Sequence, residues 1–208
     1  MPANPAPVKR ATCPRCLRAS TSCICQWITP LQSGVELLIL QHPLETGNAK
    51  NSARLLHLCV QPGVMVAGEA FDPAALATML EEGGRTPVLL YPDTPGDRSL
   101  GIAAPPALNP AVLAEPARLR LVVVDATWRK SRKMLYLNPV LQTLPRMTLR
   151  AMPPSHYRIR KAHAPDQLST LEAAAYALMQ LDTEPARWQG LLDAFDGFVG
   201  QQLRYLPA

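Results

Sequence analysis

Apolar positions fall in short, often β-branched runs that alternate with stretches of helical spacing, and this alternation organises the chain. Val35-Glu36-Leu37-Leu38-Ile39-Leu40 predicts a strand that empties into the turn-rich loop Gln41-His42-Pro43-Leu44-Glu45-Thr46-Gly47-Asn48. From Ala49 to Leu58 the spacing is helical, with Leu55, Leu56 and Cys59 on one side. Val64-Met65-Val66 predicts a short second strand. Asp72 then caps a helix with Pro73 at its first position, Leu76, Met79 and Leu80 facing inward, and Gly83-Gly84 past its end. Thr86-Pro87-Val88-Leu89-Leu90-Tyr91 predicts a third strand, again running into turn residues. Residues 103–117, rich in Ala and Pro, read as a surface connection with at most one short helix.

Leu119-Arg120-Leu121-Val122-Val123-Val124 has the near-continuous apolar character of a strand buried on both faces. It ends at Asp125-Ala126-Thr127-Trp128, after which a helix is predicted from Arg129 to Leu141, broken near Asn138-Pro139. Arg146-Met147-Thr148-Leu149-Arg150 predicts a fifth strand. Ser169-Thr170-Leu171-Glu172 fits a capping box that opens the helix Leu171–Leu181. A last amphipathic helix spans about Glu184 to Leu206, with Trp188, Leu191, Leu192, Phe195, Phe198, Val199 and Leu203 on one face. Strands alternating with helices predict an α/β fold: a mostly parallel sheet with helices on both faces. A carboxylate at the carboxyl end of a buried parallel strand sits where open α/β sheets place ligands. The plainer reading is an Asp that caps the next helix, with Trp128 as ordinary core.

At 208 residues the chain holds one domain and a small appendage. No apolar run approaches the ~20 residues of a membrane span. Residues 1–10, Pro-rich and without an apolar core, read as a disordered tail and not as a secretory signal. A cytoplasmic protein with reduced thiols and no membrane partner is expected. The net charge of +5 is unevenly spread. Between Ala126 and Pro165 there is no Asp or Glu, and nine cations: Arg129, Lys130, Arg132, Lys133, Arg146, Arg150, Arg158, Arg160 and Lys161. The remainder holds 12 basic against 16 acidic residues, a net −4. A basic segment beside the candidate site suits a polyanion such as RNA, with Arg129, Lys130, Arg132 and Lys133 on its backbone. Pro153-Pro154-Ser155-His156-Tyr157-Arg158, with Arg160 just beyond, is dense in groups that stack on bases or grip phosphates.

Cys13, Cys16, Cys23 and Cys25 are spaced C-x2-C-x6-C-x-C. Thiolates bind zinc tetrahedrally, and four of them leave no open position, so the expected Zn2+ is structural. The second pair is tighter than the common ribbon spacing. Cys59 reads as core. The expected organisation is a tail over 1–10, a zinc element over 11–30 and a catalytic domain over 31–208.

Asp125-Ala126-Thr127-Trp128 resembles the Asp-x-Thr-Trp signature of the DTW-domain proteins, the tRNA-uridine aminocarboxypropyltransferases. Other pieces similar to that family follow in order: the four cysteines, His42-Pro43-Leu44-Glu45, Tyr91-Pro92-Asp93, Ser155 to Arg160, and Ser169-Thr170-Leu171-Glu172-Ala173. The resemblance implies transfer of the 3-amino-3-carboxypropyl group from S-adenosyl-L-methionine to N3 of a tRNA uridine, in the variable loop, with release of methylthioadenosine. It also implies a SPOUT-like trefoil knot. In that geometry Leu90, Tyr91, Pro92, Thr127, Trp128, Ser169, Thr170, Leu171 and Glu172 line the S-adenosylmethionine pocket. Asp125 is the expected catalytic residue, either as the base for N3 or as the group that orients the uracil. His42 becomes a site-lining residue, and Arg54 is expected to meet either Glu45 or an RNA phosphate. Two other readings remain open: a SPOUT-type RNA methyltransferase, and a non-enzymatic zinc-containing RNA-binding module.

Overall fold

The β-branched runs form β1 (Leu31–Gln41), β2 (Val60–Ala67), β3 (Thr86–Leu90), β4 (Leu119–Asp125) and β5 (Arg146–Met147). They make one parallel sheet in the order β2-β1-β4-β3-β5. The helices are α1 (Ala53–Cys59), α2 (Pro73–Glu81), α3 (Pro110–Leu113), α4 (Trp128–Leu137), α5 (Pro139–Gln142), α6 (Thr170–Leu181) and α7 (Gln189–Leu203). This computed structural model describes residues 11–93, 102, 104–157, 159 and 168–205. The expected tail, Arg158 and Arg160 therefore lie outside the described residues. Among the described residues no helix is long and apolar enough to cross a membrane.

Side chains alternate across the sheet with period 2, so β1, β3 and β4 each feed two cores. Leu37, Ile39, Leu121, Val123 and Val88 pack with α1, α6 and α7. Leu38, Leu40, Val122 and Leu89 pack with α2, α4 and α5 on the opposite face. Helices thus cover both faces, as the continuous apolar runs require. Beyond β1 the chain turns to α1 on the first face and reaches β2 at one edge; beyond β4 it turns to α4 on the second face and reaches β5 at the other edge. Connections leaving two neighbouring strands in opposite directions open a crevice at their carboxyl ends. That crevice lies between β1 and β4.

Local signals behave as their chemistry predicts. Asp72 accepts from Ala75 N–H to cap α2, and Pro139 separates α4 from α5. Several boundaries differ for tertiary reasons. β1 begins at Leu31 because its first residues pair with Val60 and Gln61 across a register shift. α1 begins only at Ala53, whose N–H is taken by Asn51 Oδ1 at 3.0 Å. The fifth strand keeps two residues and ends before Ala151, which has a positive φ of 51°. Leu203, expected to face the core, is exposed. Gln201 and Gln202 are buried there instead, and Gln201 bonds Trp27 Nε1 and the Cys23 carbonyl. The end of α7 is therefore a polar seat for the cysteine element, whose Cys16 and Ile24 join the core of α6 and α7.

Two α7 glycines separate close packing from helix propensity. A Cβ at Gly197 would lie 2.3 Å from the Trp27 ring, whereas at Gly200 it would meet nothing within 4 Å. Gly197→Ala is expected to lower stability by about 1–3 kcal/mol through overpacking. Gly200→Ala is expected to raise it by about 0.5–1 kcal/mol. Urea midpoints with unchanged slopes check both.

A candidate active site at the β1–β4 crevice

Asp125 forms the floor of the crevice. The ladder places it opposite Gln41, and its carbonyl accepts from His42 N–H at 2.9 Å. Its carboxylate is only 3 % exposed. Oδ2 accepts from Gln41 Nε2 at 2.9 Å and from Asn51 Nδ2 at 2.7 Å, while Oδ1 accepts from Thr170 Oγ1 at 2.7 Å. Burial pushes the Asp125 carboxyl above the usual aspartate range; the Thr170, Gln41 and Asn51 donors pull it down less, and the Glu45 charge adds to the upward push.

The donors are themselves held. Asn51 Oδ1 takes Gln41 Nε2 at 3.2 Å and Ala53 N–H at 3.0 Å, which fixes the amide with its NH2 toward Asp125. Thr170 opens α6, whose capping box joins Ser169 and Glu172 in both directions. Glu172 is buried, and its oxygens also take the Ser155 hydroxyl and His156 N–H, the latter at 2.7 Å. That carboxylate thus ties the Ser155–His156 segment to the start of α6. Ser52 Oγ and Ser169 Oγ accept from Leu171 N–H and Glu172 N–H, so two first-turn amides of α6 are already bonded.

The outer wall is aromatic and charged. Trp128 stacks on Tyr91 with centroids 5.3 Å apart and planes at 14°, and the Arg146 guanidinium lies 5.2 Å from the centroid of Tyr91. The Tyr91 hydroxyl meets Ser131 Oγ at 2.9 Å, and Arg146 donates to Pro92 O at 3.2 Å. Trp128 remains 43 % exposed and borders a cavity of ≈ 690 Å³ shared with His42, Glu69, Arg132, Lys133 and Tyr136. Thr127, the N-cap of α4, is exposed and makes no side-chain cap bond. His42 Nδ1 accepts from Leu44 N–H at 3.1 Å, which leaves the ring proton on Nε2, facing Glu69 Oε1 at 3.1 Å.

The structure brings some of the predicted residues together in two groups, Asp125 with Thr170, and Trp128 with Tyr91, which Pro92 follows. Leu90 sits in the core beneath them. The basic helix is less free than its sequence suggests, because Lys130 pairs with Glu45 at 2.9 Å and Lys133 with Glu69 at 2.9 Å. Arg129 is exposed and Arg132 half-buried. Arg54 reaches the Arg15 carbonyl at 3.2 Å and not Glu45. Tyr157 packs its ring on Phe195 and donates its hydroxyl to Lys50 O. Sequence reasoning missed Gln41, Asn51 and Glu69. Each lies in a strand end or connecting loop, where no periodicity marks a polar residue as buried or paired.

A metal would be held by the cysteine element. Cys13 and Cys25 sulfurs are 3.6 Å apart, Cys16 and Cys23 3.7 Å, and all four lie within 4.8 Å of one another. Tetrahedral zinc with bonds of about 2.3 Å sets sulfurs about 3.8 Å apart, so the donor set fits. Backbone N–H groups of Cys16 and Arg15 lower the Cys13 thiol to about 6, while burial and neighbouring thiols push Cys25 up to about 12. A cation lets all four ionise together, and with four thiolates its role is structural.

Two outcomes follow from this geometry. Purified protein should carry one zinc per chain, and Cys16→Ser should lose it, as read by elemental analysis. In Asp125→Asn, the amide oxygen can accept from Gln41 and Asn51 while its NH2 donates to Thr170 Oγ1, so the bonds survive without the buried charge. With its folded pKa raised, Asp125 favours folding most when protonated, and that contribution is lost as pH rises through the folded value. Asp125→Asn should therefore melt above the wild type near neutral pH, with the gap closing toward acid pH, as read by thermal unfolding across pH.

Comparison with known proteins gives this geometry a family. The chain is 28% identical over 205 residues to tRNA-uridine aminocarboxypropyltransferase 2 of Mus musculus, covering 95% of this chain and 65% of that protein. It is 30% identical over 196 residues to the Drosophila melanogaster protein of the same name, covering 89% and 72%. A third similarity, at 24% over 140 residues, is to tRNA-uridine aminocarboxypropyltransferase A of Arabidopsis thaliana, covering 64% and 53%. The chain thus spans slightly less than two thirds of the mouse protein. No solved structure matches. The DTW domain model matches residues 10–203, nearly the whole length, and the chain belongs to the DTW-domain family.

Proposed function

We propose that this chain transfers the 3-amino-3-carboxypropyl group of S-adenosylmethionine to N3 of a uridine in tRNA, within the variable loop, in the reducing cytoplasm. The observation that carries this reading is the 2.7 Å bond from Thr170 to Asp125, which brings the start of α6 to the switch point of the sheet in a DTW-family chain. The names of the curated relatives supply the reaction. We include the trefoil knot of SPOUT relatives in the reading, with its turns following β3 and β4 and preceding α6.

S-adenosylmethionine supplies an alkyl carbon activated by a sulfonium: N3–Cγ forms as S–Cγ breaks, the electron pair leaves on sulfur as methylthioadenosine, and the N3 proton departs. The chain must therefore receive a proton and hold two planar groups. Asp125 is buried, so it reaches an incoming N3–H through Thr170, whose hydroxyl donates to Oδ1 and keeps lone pairs of its own. The raised Asp125 pKa suits a group that accepts a proton in this way. The Tyr91–Trp128 stack gives a flat surface for a heterocycle beside the turns of Pro92 and Thr127. Ser169, Leu171 and Glu172 fix the α6 start that presents Thr170. Arg129, Lys130, Arg132 and Lys133 face the tRNA backbone in this reading, with Lys133 and His42 both held by Glu69.

Incubation with S-adenosylmethionine and unmodified tRNA should release methylthioadenosine and leave an N3-alkylated uridine detectable by mass spectrometry. Release of S-adenosylhomocysteine would make the chain a methyltransferase; RNA binding with neither product would make it a binding module. Asp125→Asn should fold normally and turn over at least about a hundredfold more slowly. Full activity in that variant would remove Asp125 from the mechanism. Replacing Arg129 and Arg132 with Ala should flatten the salt dependence of tRNA affinity, reducing the log–log slope by about 1–2. An unchanged slope would place the RNA elsewhere.

A further inference from the structure

Three consecutive backbone carbonyls in the loop that carries Asn51 are each held by a side chain from a distant segment. Arg18 Nη2 donates to Asn51 O at 2.7 Å, and its Nη1 donates to Ala49 O. Between them, the Tyr157 hydroxyl donates to Lys50 O. Arg18 stands between the two cysteine pairs: its carbonyl accepts from Cys13 N–H at 2.8 Å, next to Leu17 at a positive φ of 59°. Its guanidinium lies 5.0 Å from the centroid of the Phe198 ring on α7, so its direction is set from both sides.

Outward of Asn51 the loop's other bonds are short-range ones within itself: Asn48 N–H and Nδ2 to Glu45, Lys50 N–H to Asn48 Oδ1 and Asn51 N–H to Asn48 O, and none of these ties it to the rest of the fold. Ala49 and Lys50 are exposed, and the segment Thr46-Gly47-Asn48-Ala49-Lys50 presents no large apolar side chain to the core. Ordering a backbone residue costs about 1–2 kcal/mol, so an unanchored polar loop stays mobile. Yet this loop must place the Asn51 amide on Asp125 at 2.7 Å. A planar guanidinium that spans two carbonyls sets orientation as well as distance.

We propose that Arg18 and Tyr157 are positioning residues: they clamp the 49–51 carbonyls so that Asn51 presents its amide to Asp125, and the cysteine element serves the reaction by holding Arg18 in place. The link to turnover rests on the function proposed above; the clamp itself does not.

Hydrogen exchange and steady-state kinetics on the full-length, metal-loaded protein test the two parts separately. In Arg18→Met, the amides of Asn51 and Ala53 should exchange at least about tenfold faster, with β1 and β4 amides and zinc content unchanged. Arg18→Lys should fall between, since an ammonium cannot span both carbonyls. Tyr157→Phe keeps the ring on Phe195 and provides a milder variant should Arg18→Met fail to fold. Exchange at wild-type rates in Arg18→Lys and Tyr157→Phe would overturn the clamp. In kinetics, Arg18→Met and Asn51→Ala should each lower kcat about tenfold with KM for tRNA within about twofold, and the double variant should be no slower than the worse single one. A raised KM with unchanged kcat would make Arg18 an RNA contact and overturn the positioning role. Absence of any aminocarboxypropyl transfer in the wild type would overturn the proposed function, while the exchange rates would still decide the clamp.

Discussion

A carboxylate taken out of water at the end of a parallel strand must be satisfied from nearby, and that requirement shapes the crevice. Asp125 meets it with Gln41 from β1, Asn51 from the loop before α1 and Thr170 from the start of α6. These donors stand 84, 74 and 45 residues away in sequence, so satisfying one side chain closes three long loops at one point. Desolvating such an ion costs several kcal/mol, and hydrogen bonds to a charged group return about 1.5–3 kcal/mol each. The donors offset much of the burial cost but not all of it, so the carboxyl stays above the usual aspartate range and the site is not a major source of stability.

Charge around the crevice follows the same logic of pairing across distance. The basic run at the start of α4 contains no acid of its own, yet the fold brings Glu45 from the β1–α1 loop and Glu69 from beyond β2 to Lys130 and Lys133. For Glu45, burial raises the carboxyl while the Lys130 and Asn48 hydrogen bonds outweigh it, so it stays ionised. The positive field of this helix is narrower than a count of its cations suggests. His42, oriented by Leu44 N–H, links this field to the loop that follows β1.

Much of the frame was legible because its signals are local. The Asp72 cap, the Ser169–Glu172 box and the break at Asn138-Pro139 each depend on residues three or four apart. Apolar runs marked both the buried strands and the strand end where Asp125 stands. The family resemblance, and not spacing, pointed to the reaction. What escaped detection were polar contacts between segments remote in sequence: Gln41 and Asn51 on Asp125, Glu69 on His42, and Arg18 on the 49–51 carbonyls. Leu203 escaped for a related reason, since the last turn of α7 follows the helical stripe but meets the cysteine element through Gln201. β5 shortened because its outer residues have no neighbouring strand to hold them.

The central claim is that Asp125 is a buried ion held by neutral donors. The ionisation of its carboxyl carbon by 13C NMR, assigned against Asp125→Asn, tests this most directly. The account predicts a titration midpoint above the ordinary aspartate value of 3.8. A midpoint at or below that value would mean a solvated or ion-paired carboxylate and would contradict it.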